Sequence, residues 1–368
     1  MTSVPFEDDV VRVLREDGSL EPGADEGAAS AEVVAIYRAM VRARALDDRL
    51  VALQRAGRIA FHVGSQGEEA AILGSAAALR ERDWIFPCYR EFGAALWRGM
   101  PLESYVSHMF GSAADPVKGR QMPDHYSARI ARFTSISSPL GTQITQAVGF
   151  AWAAKTKRED LVALAYFGEG ATSSGEFHNA INFAGVFRAP VVLFCRNNGW
   201  AAPMAERQTA SATFAAKGVG YDVPGVRCDG NDLFAVLKVT REAIARASRG
   251  DGATLIEALT ARMPLARDVR DFAAAVASWK KKDPLARVRR YLEGKELWSE
   301  ASEHEHEAQV LAEIDAAIAS AEVMGPPPLA TMFDDVYAEP TPQLAEQRAD
   351  LLAGPRARGF AKVSPSAE

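Results

Sequence analysis

The sequence has little cysteine: Cys88, Cys195 and Cys228 are its only three in 368 residues. Odd in number and far apart, they exclude a disulfide framework and a zinc cluster and suit a reducing compartment. Long apolar runs are also missing. The longest, such as residues 191–195, fall far short of the ~18 residues needed to span a bilayer, so no membrane partner is expected. Nor is there a sustained Lys/Arg stripe. The formal charge is 42 − 48 = −6, but residues 1–27 hold eight acidic groups against Arg12 and Arg15, which leaves the remainder balanced at 40 against 40. A neutral body lacks the footprint that phosphate-backbone binding needs, so nucleic acid is not an expected partner. The first residues are acidic where a signal peptide is basic, and they lack an apolar h-region. Secretion is therefore not expected, and a cytoplasmic location is.

What is present is ordinary for a soluble globular protein: 48% hydrophobic and 24% charged residues, in a chain long enough for a sizeable core without staples. Residues 1–30 mix acids with Gly and Pro and read as an acidic arm rather than core. Residues 31–57 repeat apolar side chains at helical spacing (Val33, Ile36, Tyr37, Met40, Leu46, Leu50, Leu53). A second helix opens at Ser65-Gln-Gly-Glu68, whose spacing fits a capping box, and runs to about Leu79. Residues 161–167 and 190–195 are buried strands. Between them Ser173-Ser-Gly-Glu176 signals a helix through Phe187, which makes a βαβ unit and hence a parallel sheet. Asn231 is placed to cap a helix to about Ser248, and residues 254–260 read as another strand. From Asp283-Pro284 the chain turns charged and helical, with an amphipathic stretch over residues 302–324 that Gly325-Pro-Pro-Pro328 breaks.

Gly168-Glu169-Gly170 falls where a buried strand ends, the place in open α/β sheets where ligands collect. Glycines admit a bound oxyanion to the backbone, and a following helix N-terminus favours negative charge. A glutamate there repels phosphate unless a divalent cation lies between them, so Glu169 is best explained as a magnesium ligand. The second strand ends in Arg196-Asn197-Asn198-Gly199, whose amides suit oxygen coordination and whose arginine suits phosphate. Taken singly, a GxG after a strand is an ordinary turn and Asn-Gly a turn signal.

Taken together, Gly-acid-Gly followed after 26 intervening residues by Asn-Asn resembles the thiamine-diphosphate-binding motif. The resemblance extends to Cys88-Tyr-Arg-Glu-Phe-Gly93, Lys118-Gly-Arg-Gln-Met-Pro-Asp-His-Tyr126, Ser135-Ile-Ser-Ser-Pro-Leu-Gly-Thr-Gln143, Phe194-Cys-Arg-Asn-Asn-Gly199 and Phe333-Asp-Asp-Val-Tyr337. Over roughly residues 30–350 the chain is similar to alpha subunits of branched-chain 2-oxo acid dehydrogenases, the decarboxylating components of 2-oxo acid dehydrogenase complexes. That implies an α/β thiamine-diphosphate-binding fold, mostly parallel sheet with helices on both faces, over residues 31–285, and a helical C-terminal extension and tail over 286–368.

The resemblance further implies magnesium on Glu169, Asn198 and the main chain of Trp200. It implies diphosphate contacts from Tyr89, Arg90, Gly170, Ala171 and Arg196 beside Gly168, and cofactor positioning by Ser138 and Leu140. A structural potassium is implied at Ser137, Pro139, Thr142 and Gln143. One chain has room and motif for only the diphosphate-binding half of such an enzyme. A beta subunit in an assembly of two alpha and two beta chains is therefore implied, with a 2-oxo acid as substrate and a lipoyl-bearing acyltransferase as acceptor. The match breaks where the family carries a loop histidine: Leu265 and Ala266 stand there, so no catalytic side chain is assigned to this chain. A homologous subunit that only stabilises a beta partner, and a pyruvate- or acetoin-type dehydrogenase subunit, remain alternatives. A nicotinamide dehydrogenase is disfavoured, because Gly168-x-Gly170-x-x-Ser173 lacks the third glycine and no acidic residue follows about 20 positions on.

Overall fold

The central strands are apolar at almost every position because both faces of their sheet are covered. The computed structural model describes residues 9–199, 208–263 and 271–354. Among them, β1 (Val10–Val11), β2 (Trp84–Phe86), β3 (Ala163–Gly168), β4 (Val191–Asn197), β5 (Gly225–Asp229) and β6 (Thr254–Leu259) form one sheet. The strand order is β1-β5-β6-β4-β3-β2 and every pairing is parallel. The helices are α1 (Ser30–Arg55), α2 (Glu69–Ala78), α3 (Phe92–Trp97), α4 (Leu102–Phe110), α5 (Thr142–Thr156), α6 (Gly175–Phe187), α7 (Leu233–Ser248), α8 (Phe272–Lys281), α9 (Pro284–Gly294), α10 (Glu300–Val323) and α11 (Pro342–Ala353).

Alternate strand residues enter two separate cores, as the pleat requires. Leu164, Tyr166, Val192, Phe194 and Ile256 join the apolar faces of α1, α2 and α7, with Val288 and Leu292 of α9 and Ile314 of α10 beyond them. Ala163, Ala165, Phe167, Val191, Leu193 and Leu255 pack under Ile144 and Val148 of α5 and Phe177 and Ile181 of α6. The α/β class, the parallel sheet with helices on both faces and the helical C-terminal region are thus as expected. Among the described residues no helix is long and apolar enough to cross a membrane.

Three local expectations give way. Residues 10–14 are not outside the core: β1 pairs with β5, and Val13 and Leu14 are buried. Asp232 holds them there, its Oδ2 accepting from the Val13 and Leu14 amides at 2.6 and 2.8 Å. Its Oδ1 accepts from Phe234 and Ala235, so Asp232, not Asn231, caps α7. The capping box at 65–68 does not form either. α2 starts at Glu69 with no side-chain cap, because the Ser65 hydroxyl donates to Asp47 and the Glu68 carboxylate is drawn elsewhere.

Candidate active site

β3 and β4 lie side by side in register from Ala163 opposite Val191 to Gly168 opposite Arg196, so the Gly-acid-Gly turn and the Arg-Asn-Asn turn leave the same sheet edge together. A cavity of about 270 Å³ opens there. It is lined by Tyr89, Arg90, Leu140, Gly168, Glu169, Gly170, Ala171, Arg196 and Asn198, nine of the anticipated positions, and also by Glu68, Cys88 and Arg262. Glu169 is buried at its rim, whereas Leu140 is half exposed.

Glu68 is the residue that sequence reasoning missed. Its carboxylate is fully buried and accepts from Arg196 Nη1 at 2.7 Å, Asn198 Nδ2 at 2.9 Å and Thr260 Oγ1 at 3.2 Å. Burial opposes its charge, but Arg196 and Arg90 outweigh burial and hold the group below the usual carboxylate range. Glu91 takes the other side of Arg196, through Nη2. There burial prevails, and the Glu91 carboxyl is raised. Arg196 Nε is buried and has no partner. Asn198 commits its amide nitrogen to Glu68, which fixes the side chain at the cavity wall. Arg90 donates to the Gly64 carbonyl and lies 5.5 Å over the Tyr89 ring. Cys88 is buried, and burial pushes its thiol up to about 12, so no nucleophile is present at that wall.

Other anticipated residues are placed differently. Asn197 is a turn latch: its Nδ2 donates to Glu257 at 2.8 Å and its Oδ1 accepts from the Gly199 amide at 3.2 Å. No α-helix starts at the acidic loop. A 3₁₀ turn, Glu169–Ser173, intervenes, and Ser174 then caps α6 by accepting from the Phe177 amide. This edge therefore carries guanidiniums and glycines, and no α-helix N-terminus, at the cavity. Ser138 is not among the residues lining the cavity; its hydroxyl is hydrogen-bonded to His125 Nε2. Thr142 Oγ1 donates to the Pro139 carbonyl, close to Ser137, while Gln143 donates Nε2 to Tyr166 and keeps its Oε1 buried without a partner. Trp200, Leu265 and Ala266 lie outside the described residues.

A doubly covered parallel sheet with glycines, guanidiniums and a buried acid at adjoining strand ends is the architecture of α/β enzymes that hold phosphorylated cofactors at that edge. Residues 37–329 match the family model described as "Dehydrogenase E1 component", and the chain belongs to that family. It is 40% identical over 351 residues to 2-oxoisovalerate dehydrogenase subunit alpha, mitochondrial, of Mus musculus, covering 93% of this chain and 79% of that protein. Identity to the Homo sapiens protein of the same name is 39% with the same coverage. The alpha 2 subunit of Arabidopsis thaliana is 39% identical over 345 residues, 91% of this chain and 73% of that one.

Proposed function

We propose that this chain is the alpha subunit of a 2-oxo acid dehydrogenase decarboxylating component that acts on branched-chain 2-oxo acids with thiamine diphosphate and magnesium. One observation carries the reading: buried Glu169 and an Asn198 oriented by Glu68 share a cavity with Arg90 and Arg196, two guanidiniums suited to phosphate. Among the described residues no group of three or more His, Cys, Asp or Glu side chains is arranged to hold a metal. Glu169 and Asn198 therefore need further oxygens, which a diphosphate provides. The unpartnered Arg196 Nε supports an absent anion, and the unpartnered Gln143 Oε1 supports a potassium ion shared with Ser137, Pro139 and Thr142.

When bound, thiamine diphosphate supplies the carbanion and the electron sink for decarboxylation. The chain's own part is to anchor the diphosphate on Arg90, Arg196 and the Gly168–Ala171 amides, and to support the organic half on Leu140 and Ser138. His125, bonded to Ser138, fixes that hydroxyl. Among the described residues the carboxylates lining the cavity are Glu68, committed to Arg196 and Asn198, and Glu169, the proposed metal ligand, which supports a beta partner that supplies the activating acid. Apolar surface on α5 and α6 supports assembly as well: Trp152 stacks on Phe187 at 4.3 Å beside exposed Phe183 and Val186. Acyl transfer to a lipoyl-bearing acyltransferase completes the proposed reaction. Three free, buried thiols suit the proposed cytoplasmic location.

The test is to assay the chain alone and with its beta partner, using 3-methyl-2-oxobutanoate. Turnover is expected only for the pair, and Glu169→Ala should abolish magnesium-dependent cofactor binding by calorimetry. Robust turnover by the isolated chain, or unchanged affinity in the variant, contradicts the assignment. Leu265 and Ala266 favour a second reading, a subunit that no longer serves acceptor transfer. A pair that reduces an artificial acceptor but not lipoyl domains would establish it.

A further inference from the structure

We infer that His62 is a positioning residue for the cofactor cradle. By holding Asp47 and Asp124 at once, it fastens residues 62–68 in the shape that brings Glu68 to Arg196 and Asn198 and the Gly64 carbonyl to Arg90. This rests on the proposed function of the cavity.

His62 Nε2 is 2.8 Å from Asp47 Oδ1, and Nδ1 is 3.2 Å from Asp124 Oδ2, with all three side chains sealed from solvent. With both acids ionised their oxygens only accept, so both ring nitrogens donate and the ring is an imidazolium. The two carboxylates spend their remaining capacity largely on the same strap. Asp47 Oδ2 accepts from the Ser65 amide at 2.6 Å, and Asp124 Oδ2 from the Val63 amide at 2.7 Å. Asp47 belongs to α1 and Asp124 to the segment that leads into His125 and Tyr126, so the strap is pinned from two independent elements. Gly64 lies between the pins, where a Cβ would come 2.9 Å from Asp47 Oδ1. Beyond it, Gln66 and Gly67 present their carbonyls to Met263 N and Asn231 Nδ2, each at 2.8 Å. Glu68 then enters the cavity wall.

A histidine serving only to fill the core has no need of this arrangement. One cation between two carboxylates leaves a net negative charge in a dry interior, and apolar side chains fill such space at lower cost. What the trio adds is direction: each bond has one geometry, and together they leave the strap a single path to Glu68.

The experiment uses the complex with its beta partner and compares His62→Gln with Tyr105→Phe. Tyr105 donates to Asp124 Oδ1 at 2.8 Å from α4, outside the strap. In His62→Gln, thiamine diphosphate affinity with magnesium, by calorimetry, should fall about tenfold or more, the range for groups that orient ligands. The amides of residues 62–68 should exchange faster with deuterium, and kcat at saturating cofactor should stay near that of the parent. Tyr105→Phe should lose thermal stability and keep its cofactor affinity. If His62→Gln does not fold, Asp47→Asn keeps an acceptor for the Ser65 amide and is expected to show the same loss of affinity. A His62 variant that melts earlier but binds cofactor normally overturns the inference, as does a Tyr105 variant with an equal loss of affinity. No binding by the unmodified complex overturns both this inference and the proposed function.

Discussion

Two of the buried cations of this protein, His62 and Arg196, are built alike. His62 bridges Asp47 and Asp124; Arg196 bridges Glu68 and Glu91. They differ in what is left over. Both nitrogens of His62 are committed, whereas Arg196 faces a cavity and has a buried Nε without a partner. The first arrangement is saturated and can only hold. The second can take on an anion without first breaking a bond. Buried charge by itself therefore does not mark a site, and unspent hydrogen-bonding capacity beside a cavity does.

The comparison can be broken most sharply at Arg196. Arg196→Met leaves Glu68 and Glu91 buried without their cation, and unfolding free energy in urea should fall by about 3–5 kcal/mol. A loss no larger than that of a surface substitution would show that Arg196 is not the keystone of the cradle.

The saturated cation should declare itself through pH. Burial works against the charged His62 ring, but Asp124 and Asp47 overcome it and raise its pKa to about 9. Those two carboxylates are the charged groups that face it, with the Tyr105 hydroxyl on Asp124 and the Phe92 ring 5.9 Å away. A raised folded-state pKa means the stabilisation is complete below the unfolded value of about 6.5 and is lost as pH rises through about 9. The loss should be on the order of 3 kcal/mol. Urea titrations between pH 6.5 and 9.5 should show this slope in the parent and not in His62→Gln; parallel slopes would refute an imidazolium.

The smallest effect concerns Glu68. Glu68→Gln keeps an acceptor for Asn198 but gives up the charge against Arg196, so magnesium affinity in the presence of cofactor should fall about tenfold, roughly 1.4 kcal/mol. Equal affinity would reduce Glu68 to a counter-ion and leave the Asn198 orientation to other contacts.

The legible and illegible parts of this site divide along chain separation. Gly168–Ala171 and Arg196–Asn198 each form a contiguous signal at the end of an apolar strand, and β3–β4 pairing brings the two signals together by a short crossover. Glu68 reaches Arg196 across 128 positions, and its Ser-x-x-Glu spacing is that of an ordinary helix cap. Nothing local tells a carboxylate that caps a helix from one that leaves it. The same limit hid Val13 and Leu14, whose acidic neighbours describe solvent while Asp232, more than 200 residues on, holds them in the core. The one-residue shift of the α7 cap from Asn231 to Asp232 is the ordinary ambiguity of adjacent capping residues. Asn231 is used instead to join the Gly67 carbonyl to the Ala261 amide. Strands β3, β4 and β6 and helices α1, α2, α6, α7 and α10 were legible because period and burial are local properties, whereas the short strands β1, β2 and β5 carry too few residues to show a period.

The joint at Gly67 has an evolutionary consequence. At φ +92° it lies so close to the chain after β6 that a Cβ would come 2.2 Å from the Ala261 carbonyl, and that carbonyl also accepts from the Trp279 indole at 2.8 Å. The chain leaving β6 and the helix α8 that follows are thus stapled to one point, across 18 positions of sequence. Any side chain at position 67 would have to move the exit of β6 and the start of α8 together, so the position is closed to every residue but glycine unless both partners shift at once.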